Sequence, residues 1–571
     1  MRTARRIVQV VAFLLFIYLL LGTRDPLETL LPADLFPRLS PFIGLTASVA
    51  SRTIITLFAP AAVLVLLTVL LGRFFCGWIC PMGTTIDVSD KLLARSRHTL
   101  TGAKGNPAEF SRIHSTKYIV LVVSIVASLF GVQVAGWFDP LSMVTRSYAI
   151  VVHPYLNYFA DRVLRIMVGS RAIQPVVLGA DDFLRSTVVS FTQPLFVYQW
   201  LFMIVFLGIL LLGLLERRFW CRHLCPLGAM LDLLSRFPLL RRTVKDGCIE
   251  CGKCIADCKM NAIRGAGKTT LRGECIECFG CKNVCPKSVS TFKFAVGAWA
   301  DSENRVNMSR RQLIGSAVGG VFALPLLKLS PDKNRVRLRL IRPPAAGDES
   351  EFLAKCVRCG ECMKVCLTNG LHPTLFEAGL EGIWTPQLIP RIGYCEYNCT
   401  LCGQVCPSGA IKELTLDEKH ETVIGTARFN TSRCIPWAEN RDCVVCEEHC
   451  PVPDKAIVLR PTTVVDRLTG EEKIVKRPYV LEDRCVGCGI CEYKCPLPGE
   501  AAVRVELAHG TIRGIGRQMR RRGQGRGADA QGAGRGQGGG GRGRGPAAGR
   551  GRWPNGVREG GPANATSPDD L

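Results

Sequence analysis

The sequence predicts a membrane α-helical domain, built as a repeat of two helical hairpins, followed by small α+β modules rich in cysteine and a disordered C-terminal tail. Hydrophobic residues make up 47% of the 571 residues, and the mean hydropathy is +0.18 although the chain carries 72 Lys+Arg and 48 Asp+Glu. The 28 cysteines are too many for an average cytosolic protein, and the chain is too long for a small disulfide scaffold. A chain of this length is expected to form several domains.

Four uncharged stretches predict four transmembrane helices, because about 20 apolar residues span a bilayer. Helices buried in a soluble core would show polar residues at a 3.6-residue period, and a segment such as AVLVLLTVLL has none. The first stretch is preceded by Arg2, Arg5 and Arg6, and basic residues before an apolar segment are also typical of a signal peptide. No small-residue cleavage site precedes Asp25, however, so we expect a retained helix. The four stretches are residues 7–23, 53–72, 118–138 and 186–215.

The helical domain contains an internal repeat. The segment RFFCGWICPMGTTID after the second stretch matches RFWCRHLCPLGAMLD after the fourth, and the triplet Asp-Pro-Leu at residues 25–27 recurs at residues 139–141. Two hairpins related by a pseudo-twofold axis are the expected arrangement. A slight excess of Lys and Arg predicts that both ends of the domain are cytoplasmic. The matched positions are Arg73/Arg218, Phe74/Phe219, Cys76/Cys221, Cys80/Cys225, Pro81/Pro226, Gly83/Gly228 and Asp87/Asp232.

The repeat predicts that Cys76, Cys80, Cys221 and Cys225 meet at the cytoplasmic membrane surface. On a helix, thiols at i and i+4 share a face, so the two Cys-x-x-x-Cys-Pro elements could assemble a four-thiolate metal site between the halves. The alternative is a set of free or redox-active thiols at helix ends. Both interpretations stay open at the level of sequence.

The remaining 24 cysteines form six groups of four. Three thiolates two residues apart wrap three corners of an iron-sulfur cube, and the fourth cysteine, often before Pro, serves a neighbouring cube. Zinc sites favour two separated pairs, and disulfides are not favoured by such tight spacing, so we predict six 4Fe-4S clusters. Four groups have the spacing C-x2-C-x2-C-x3-C: Cys248, Cys251, Cys254, Cys258; Cys275, Cys278, Cys281, Cys285; Cys356, Cys359, Cys362, Cys366; and Cys485, Cys488, Cys491, Cys495. Two groups have a longer first gap: Cys395, Cys399, Cys402, Cys406; and Cys434, Cys443, Cys446, Cys450.

The ferredoxin rule also predicts how the first two groups share their ligands. Among the last four groups, neighbours could pair in order or the outer groups could pair with each other, and the sequence does not choose. For the first pair, the expected sets are Cys248, Cys251, Cys254 with Cys285, and Cys275, Cys278, Cys281 with Cys258.

A twin-arginine-like segment separates the two cysteine-rich regions. Arg310 and Arg311 precede the uncharged residues 312–327, a pattern suited to a signal that exports folded proteins. The basic residues that follow oppose export, and the alternative is a short membrane-associated linker. The expected domains are residues 1–240 (four helices), 241–300 (two clusters), 301–345 (twin-arginine-like segment and linker), 346–510 (four clusters) and 511–571 (disordered Arg/Gly-rich tail).

With these motifs, residues 1 to about 300 resemble NapH-type membrane quinol dehydrogenase subunits, and residues 305 to 505 resemble NapG/MauM-type polyferredoxins. The resemblance implies α+β ferredoxin-like 4Fe-4S modules and electron flow from quinol to a periplasmic reductase or cytochrome. It also implies a multi-pass protein of the bacterial inner membrane, in contact with lipid and the quinone pool, whose last four clusters are periplasmic. No nucleic-acid partner is expected.

Asp139 and His153 are the two residues that could accept quinol protons on the outer side. The alternatives are a helix-terminating Asp-Pro and a solvated loop histidine. The membrane half is also similar to accessory proteins of copper-oxidase and nitrous-oxide reductase systems. A second interpretation is therefore an electron donor that assembles or maintains another metalloenzyme.

Overall fold

The computed structural model describes residues 2–27, 29–101, 114–168, 174–187, 193–236, 239–294, 308–328, 339–465 and 470–507. The predicted tail, residues 511–571, lies outside them. The longer helices are α1 (Arg2–Leu21), α2 (Pro41–Ser51), α3 (Ala59–Leu71), α4 (Pro81–Thr101), α5 (Thr116–Leu129), α6 (Pro140–Ser147), α7 (His153–Val168), α8 (Gln174–Thr187), α9 (Gln199–Leu211), α10 (Pro226–Leu234) and α11 (Arg310–Leu327).

Three of the four uncharged stretches form helices shorter than the sequence predicts. The second stretch begins with a 3-10 turn, Thr56–Phe58, before α3, and α5 ends at Leu129 because Gly131 takes a left-handed φ of 79°. Among the described residues, one segment, Thr3–Leu21, is long and apolar enough to cross a membrane. Shorter apolar helical segments are Pro41–Ser51, Thr56–Leu71, Thr116–Leu129 and Gln199–Leu214. Four membrane spans therefore remain a prediction.

The helices pack around one apolar core and expose apolar faces on the outside. Phe16, Phe42, Phe75 and Leu227 are among the fully buried side chains at its centre. Soluble proteins rarely expose contiguous apolar patches of this kind. The exposed large apolar side chains include Ile7, Val11 and Leu14 of α1, Val63 and Leu66 of α3, Trp200, Ile204 and Leu207 of α9, and Leu313, Ile314, Val318 and Phe322 of α11.

Two cysteine-rich modules follow the helices and are built on small antiparallel strand pairs. The first cysteine module (residues 239–294) is closed by β1 (Leu240–Val244) against β4 (Ser290–Phe294), with β2 (Ile263–Arg264) against β3 (Thr269–Thr270) inside it. In the second cysteine module (residues 339–507) the pairs are β5 (Leu371–Pro373) with β6 (Pro386–Leu388), β7 (Thr426–Phe429) with β10 (Val503–Glu506), and β8 (Ile457–Val465) with β9 (Glu472–Val480). Short helical turns carry many of the cysteines: Lys253–Asp257, Gly280–Asn283, Glu361–Lys364, Leu401–Gln404, Val445–Glu448 and Ile490–Lys494.

The two modules lie near opposite ends of α1. Near its start, Arg5 pairs with Asp87 at 3.0 Å, and Asp87 also pairs with Lys259 of the first cysteine module at 2.8 Å. Just beyond its end, Thr23 Oγ1 accepts a hydrogen bond of 2.6 Å from Lys364 Nζ of the second cysteine module. Helix α1 rises by about 24 Å from Arg5 to its last residue, Leu21. The helical domain therefore separates the two modules.

Helix α11, the twin-arginine-like segment, runs beside α5 from one module's side to the other's. Its start is capped by Ser309, and Gln312 Nε2 donates to Ser115 Oγ at 3.4 Å. Gly320 packs against Val126 in the middle of α5. At its end, the carbonyl of Leu327 accepts a hydrogen bond of 3.1 Å from the amide of Glu381 in the second cysteine module. The start of α5 faces the first module, where Lys117 pairs with Glu274.

Gly136→Ala tests how tightly the second module docks. A Cβ at Gly136 would lie 2.4 Å from the carbonyl oxygen of Val357, which is backbone and cannot swing aside. We expect a loss of about 1 to 3 kcal/mol in stability, measured as a lower thermal unfolding midpoint and faster proteolytic release of the module.

Gly208→Ala, in α9, is the matched control, since a Cβ there meets no atom within 4 Å. In a helix interior this substitution should leave stability unchanged or raise it by up to about 1 kcal/mol. Equal destabilisation by both substitutions would contradict the tight docking of Gly136 on Val357.

Candidate metal centres

The first cysteine module contains two cavities, and each is lined by four cysteines. In each cavity, three closely spaced cysteines of one group meet the last cysteine of the other group. One set is Cys248, Cys251, Cys254 and Cys285, and the other is Cys258, Cys275, Cys278 and Cys281. These are the two sets that the ferredoxin rule predicts.

The second cysteine module repeats this arrangement twice, with neighbouring groups paired in order. Three of its cysteine sets each line a cavity, and in the fourth set Cys450 packs against the core that contains Cys485 and Cys491. The sequence leaves two pairings open, and the structure has the one in which neighbouring groups pair in order. The sets are Cys356, Cys359, Cys362 with Cys406; Cys366 with Cys395, Cys399, Cys402; Cys434, Cys443, Cys446 with Cys495; and Cys450 with Cys485, Cys488, Cys491.

Backbone amides point at the sulfur atoms. The fourth cysteine of five groups accepts an N–H···S hydrogen bond from a residue that follows it in the chain. Such bonds favour the thiolate over the thiol, and they are one of the factors that set the potential of a bound cluster. The donors and acceptors are Ala262 to Cys258, Gly370 to Cys366, Ile411 to Cys406, Ala456 to Cys450 and Ala502 to Cys495, at 3.3 to 3.4 Å.

The cavities favour a bound cation over four bare thiolates. Burial, and after it the neighbouring thiols Cys434 and Cys443, raise the pKa of Cys446 to about 12. Burial also raises the pKa of Cys488 to about 12, with a further contribution from Cys485. Without a metal these groups would be protonated at neutral pH, whereas a bound metal ion supplies the positive charge that keeps each sulfur deprotonated.

A multinuclear group fits these cavities better than a single ion. Within the part of the chain that the structure describes, no three His, Cys, Asp or Glu side chains converge closely enough to hold one metal ion. The ligands of a cube stand farther apart, because each thiolate binds its own iron. The donor set, its spacing and the apolar lining all suit 4Fe-4S clusters.

The four cysteines of the Cys-x-x-x-Cys-Pro elements lie in the helical domain's core. The sequence predicts that the two cysteines of each element share one helix face, and the structure differs. Cys76 lies in a short helix, Phe74–Trp78, whereas Cys225 takes an extended backbone conformation and its sulfur caps α10 by accepting from the amide of Gly228 at 3.2 Å. Proline directly after Cys80 and Cys225 begins a new helix in both repeats, which breaks the i,i+4 relationship.

Asp139 serves as a helix cap. One carboxylate oxygen accepts from Ser40 Oγ at 2.6 Å, and the other accepts from the amides of Leu141 and Ser142 at 2.9 Å. These contacts cap the start of α6, and Asp139 also directly follows the short helix Ala135–Phe138. His153 is the first residue of α7 and is half-buried. Proton transfer by either residue remains a prediction.

Sequence reasoning missed a set of fully buried arginines next to the cysteines. Arg358, between Cys356 and Cys359, donates to the carbonyls of Gln133 and Ile383, and its own carbonyl accepts from Arg146 at 2.8 Å. Arg73 and Arg218, beside the Cys-x-x-x-Cys-Pro elements, have 0% exposure. Buried guanidinium groups need negative partners, and their position directly beside cysteines was the signal available in the sequence.

The comparisons with known proteins agree with an iron-sulfur assignment. A family model described as "4Fe-4S binding domain" matches residues 53–99 and 198–245. The chain is 33% identical to the methylamine utilization ferredoxin-type protein MauM of Methylorubrum extorquens over 34% of this chain and 88% of MauM. It is 34% identical to the ferredoxin-type protein NapG of Escherichia coli over 31% of this chain and 72% of NapG. No solved structure matches.

The ordered pairing can be tested with Cys406→Ser. We expect this variant to expose Cys356, Cys359 and Cys362, because Cys406 completes their cavity. Anaerobic alkylation of the folded protein followed by mass spectrometry measures which thiols become reactive.

The matched variant is Cys366→Ser, which should instead expose Cys395, Cys399 and Cys402. If each substitution exposed the cysteines of its own group, the ordered pairing would be wrong.

Proposed function

This chain belongs to the family of ferredoxin-type proteins that includes MauM and NapG, and from that premise we propose that it carries electrons from quinol in a bacterial inner membrane to a periplasmic reductase or cytochrome. The family accounts for its character as an iron-sulfur electron-transfer protein. The quinol donor, the membrane domain of NapH type and the periplasmic acceptor are parts of the proposal. So is the assignment of the six cysteine sets as ligands of six 4Fe-4S clusters.

The contact of the two cysteine modules with opposite ends of one helical domain carries the proposal. Helix α1 rises by about 24 Å from Arg5 to Leu21, and Thr23 lies two residues beyond its end, against roughly 30 Å for a bilayer's hydrocarbon core. Lys259 belongs to the module at one end and Lys364 to the module at the other. A membrane around the helices would therefore have one module on each side.

The exposed apolar faces of α1, α3, α9 and α11 support this placement. Side chains such as Leu14, Leu66, Ile204 and Phe322 are more than half exposed. In water each would cost free energy in proportion to its apolar area, and lipid removes that cost. The short helices α3, α5 and α9 would then cross together with their flanking turns. Helix α11 would be a fifth crossing, which takes the chain from the first module's side to the second's.

The donor and the carriers differ in how many electrons they handle. A quinol that becomes a quinone gives up two electrons and two protons, whereas each 4Fe-4S cluster carries one electron. Two successive single-electron transfers therefore oxidise one quinol to quinone, and both protons are released to water. Within the second module, the ordered pairing makes two adjoining two-cluster units, residues 339–411 and 426–507. A series of closely spaced carriers of this kind suits delivery to an acceptor outside the membrane.

A topology reporter tests whether the modules lie on opposite sides. Alkaline phosphatase, which is active only outside the cytoplasm, would be fused after residue 300 and, in a second strain, after residue 507. We expect activity only from the second fusion, because α11 separates the two points. A cytoplasmic reporter at the same two positions should give the reverse pattern, and matching results at both positions would contradict the proposal.

Quinol-dependent bleaching tests the electron donor. Membranes with the full chain, kept anaerobic, should lose part of the visible cluster absorbance on addition of a quinol, and clusters of lower potential should bleach only on addition of dithionite, which is the stronger reductant. The control is the same membrane preparation without the protein. A protein that dithionite bleaches and quinol does not would overturn the proposed donor and favour a role in assembling or maintaining another enzyme.

A further inference from the structure

We propose that Cys76, Cys80, Cys221 and Cys225 together hold one further iron-sulfur cluster, at the junction of the two Cys-x-x-x-Cys-Pro elements with the first cysteine module. This inference deepens the proposed function, because it adds a redox centre between the helical domain and the cysteine modules. It concerns a site separate from the six cysteine sets described above.

The family matches point to a shared site. The model described as "4Fe-4S binding domain" matches residues 53–99 and residues 198–245 separately, and each match contains a single Cys-x-x-x-Cys-Pro element. Two thiolates are half of the usual ligand set of a cluster, which has four. One cluster bound between the repeats would use both halves. Cys80 and Cys225 belong to one buried core, and the partly buried Cys76 and Cys221 pack against the same core, which makes this possible.

The two repeats face each other through their arginines. Arg73 of the first repeat lies over Gly228 of the second, where a Cβ would come within 2.8 Å of Arg73 Nη2. Arg218 of the second repeat lies over Gly83 of the first, and its Nη1 donates to the carbonyl of Cys76 at 3.0 Å. This reciprocal crossing is what a pseudo-twofold axis between the elements produces. The same axis brings the two cysteine pairs to one place.

Arg73 provides an independent sign of a negatively charged group. Its side chain is completely buried, its Nη1 contacts Glu274 at 3.1 Å, and its Nε and Nη2 have no hydrogen-bond partner. A Cβ built on Gly228 would lie 2.8 Å from Arg73 Nη2 and 3.4 Å from the sulfur of Cys225, so this guanidinium nitrogen and this sulfur border the same space. A buried donor without an acceptor is costly. Sulfur atoms of a thiolate-bound cluster would supply the missing acceptors.

The helix starts add to this field. Cys225 caps α10 through its sulfur, and Cys80 occupies the same position before α4. A helix N-terminus favours negative charge and stabilises a cysteine thiolate. Both capping sulfurs are nearly inaccessible to water, with 5% exposure at Cys225 and 8% at Cys80. Thiolates buried in this way need a metal for charge balance.

The site adjoins the first cysteine module. Cys76 and Cys221 pack against Met260, Ala262 and Ile276, the same residues that cover the cavity of Cys258, Cys275 and Cys278. The turn approaches closely because residue 77 is glycine, and a Cβ there would lie 2.4 Å from the carbonyl oxygen of Ile276. A cluster at this position would be the neighbour of a cube in the first module, so that single electrons could pass between them.

Native mass spectrometry of the full chain, purified anaerobically in detergent, decides the proposal. We expect the mass of seven iron-sulfur cores, or about 28 Fe per chain rather than about 24. The variant Cys76→Ser/Cys80→Ser/Cys221→Ser/Cys225→Ser should retain six cores. Cys366→Ser is the matched control, since it should remove a core from the second module and leave the proposed site intact. Six cores in the wild type, with or without a single zinc ion, would overturn the proposal.

A second measurement uses only the wild-type protein, in case the quadruple variant does not accumulate. Anaerobic alkylation should leave the four thiols unmodified until iron is removed with a chelator under oxidising conditions. Immediate alkylation of all four would identify them as free thiols. Whether the four cysteines bind a cluster does not depend on quinol being the electron donor. A protein with seven cores that quinol does not reduce would contradict the proposed function and still support this site.

Discussion

The negative charge of buried thiolates is the constraint on which the rest of the structure depends. Each cysteine module is built on strand pairs that are only two to nine residues long. Bound iron-sulfur clusters would add metal–thiolate bonds to the small apolar core of each module. Around the sulfurs, backbone amides and buried guanidinium groups reduce the electrostatic cost, as at Cys366 with Gly370 and at Cys356 with Arg358.

The same principle explains how the modules attach to the helical domain. Arg358 lies between two cysteines and also donates to Gln133 of the helical domain, so that one side chain serves the metal site and the interface. At the other end, Glu274, which lies directly before Cys275, contacts Arg73 and Lys117. Buried ion pairs are costly to break once formed. The interfaces are therefore coupled to the integrity of the sites beside them.

The sequence was a good guide where the determinant is local. Cysteine spacing predicted which four cysteines line each cavity of the first module, because the shared fourth cysteine is a property of the motif. It could not choose the pairing in the second module, since both alternatives satisfy the same spacing. The choice is made by the pairing of β7 with β10, which closes the chain around the last two groups.

Helix lengths were overestimated for a related reason. Hydropathy does not distinguish contact with lipid from contact with another part of the protein. Val132 and Val134 belong to the third uncharged stretch but pack against Leu324 of α11, beyond the end of α5. The sequence did not predict that the arginines beside the cysteines are buried, because a charged residue usually indicates a solvent-exposed position. Their function depends on partners that are distant in the chain, such as Arg218 with Asp87.

Helix α11 makes the two electron-carrying halves parts of one polypeptide. Proteins that act as separate subunits must find each other at cellular concentrations, whereas a covalent tether keeps the effective local concentration high. The halves are also synthesised in equal numbers and cannot exchange with a competitor. The close contact of Gly136 with Val357 then fixes the distance and orientation of the second cysteine module relative to the helical domain.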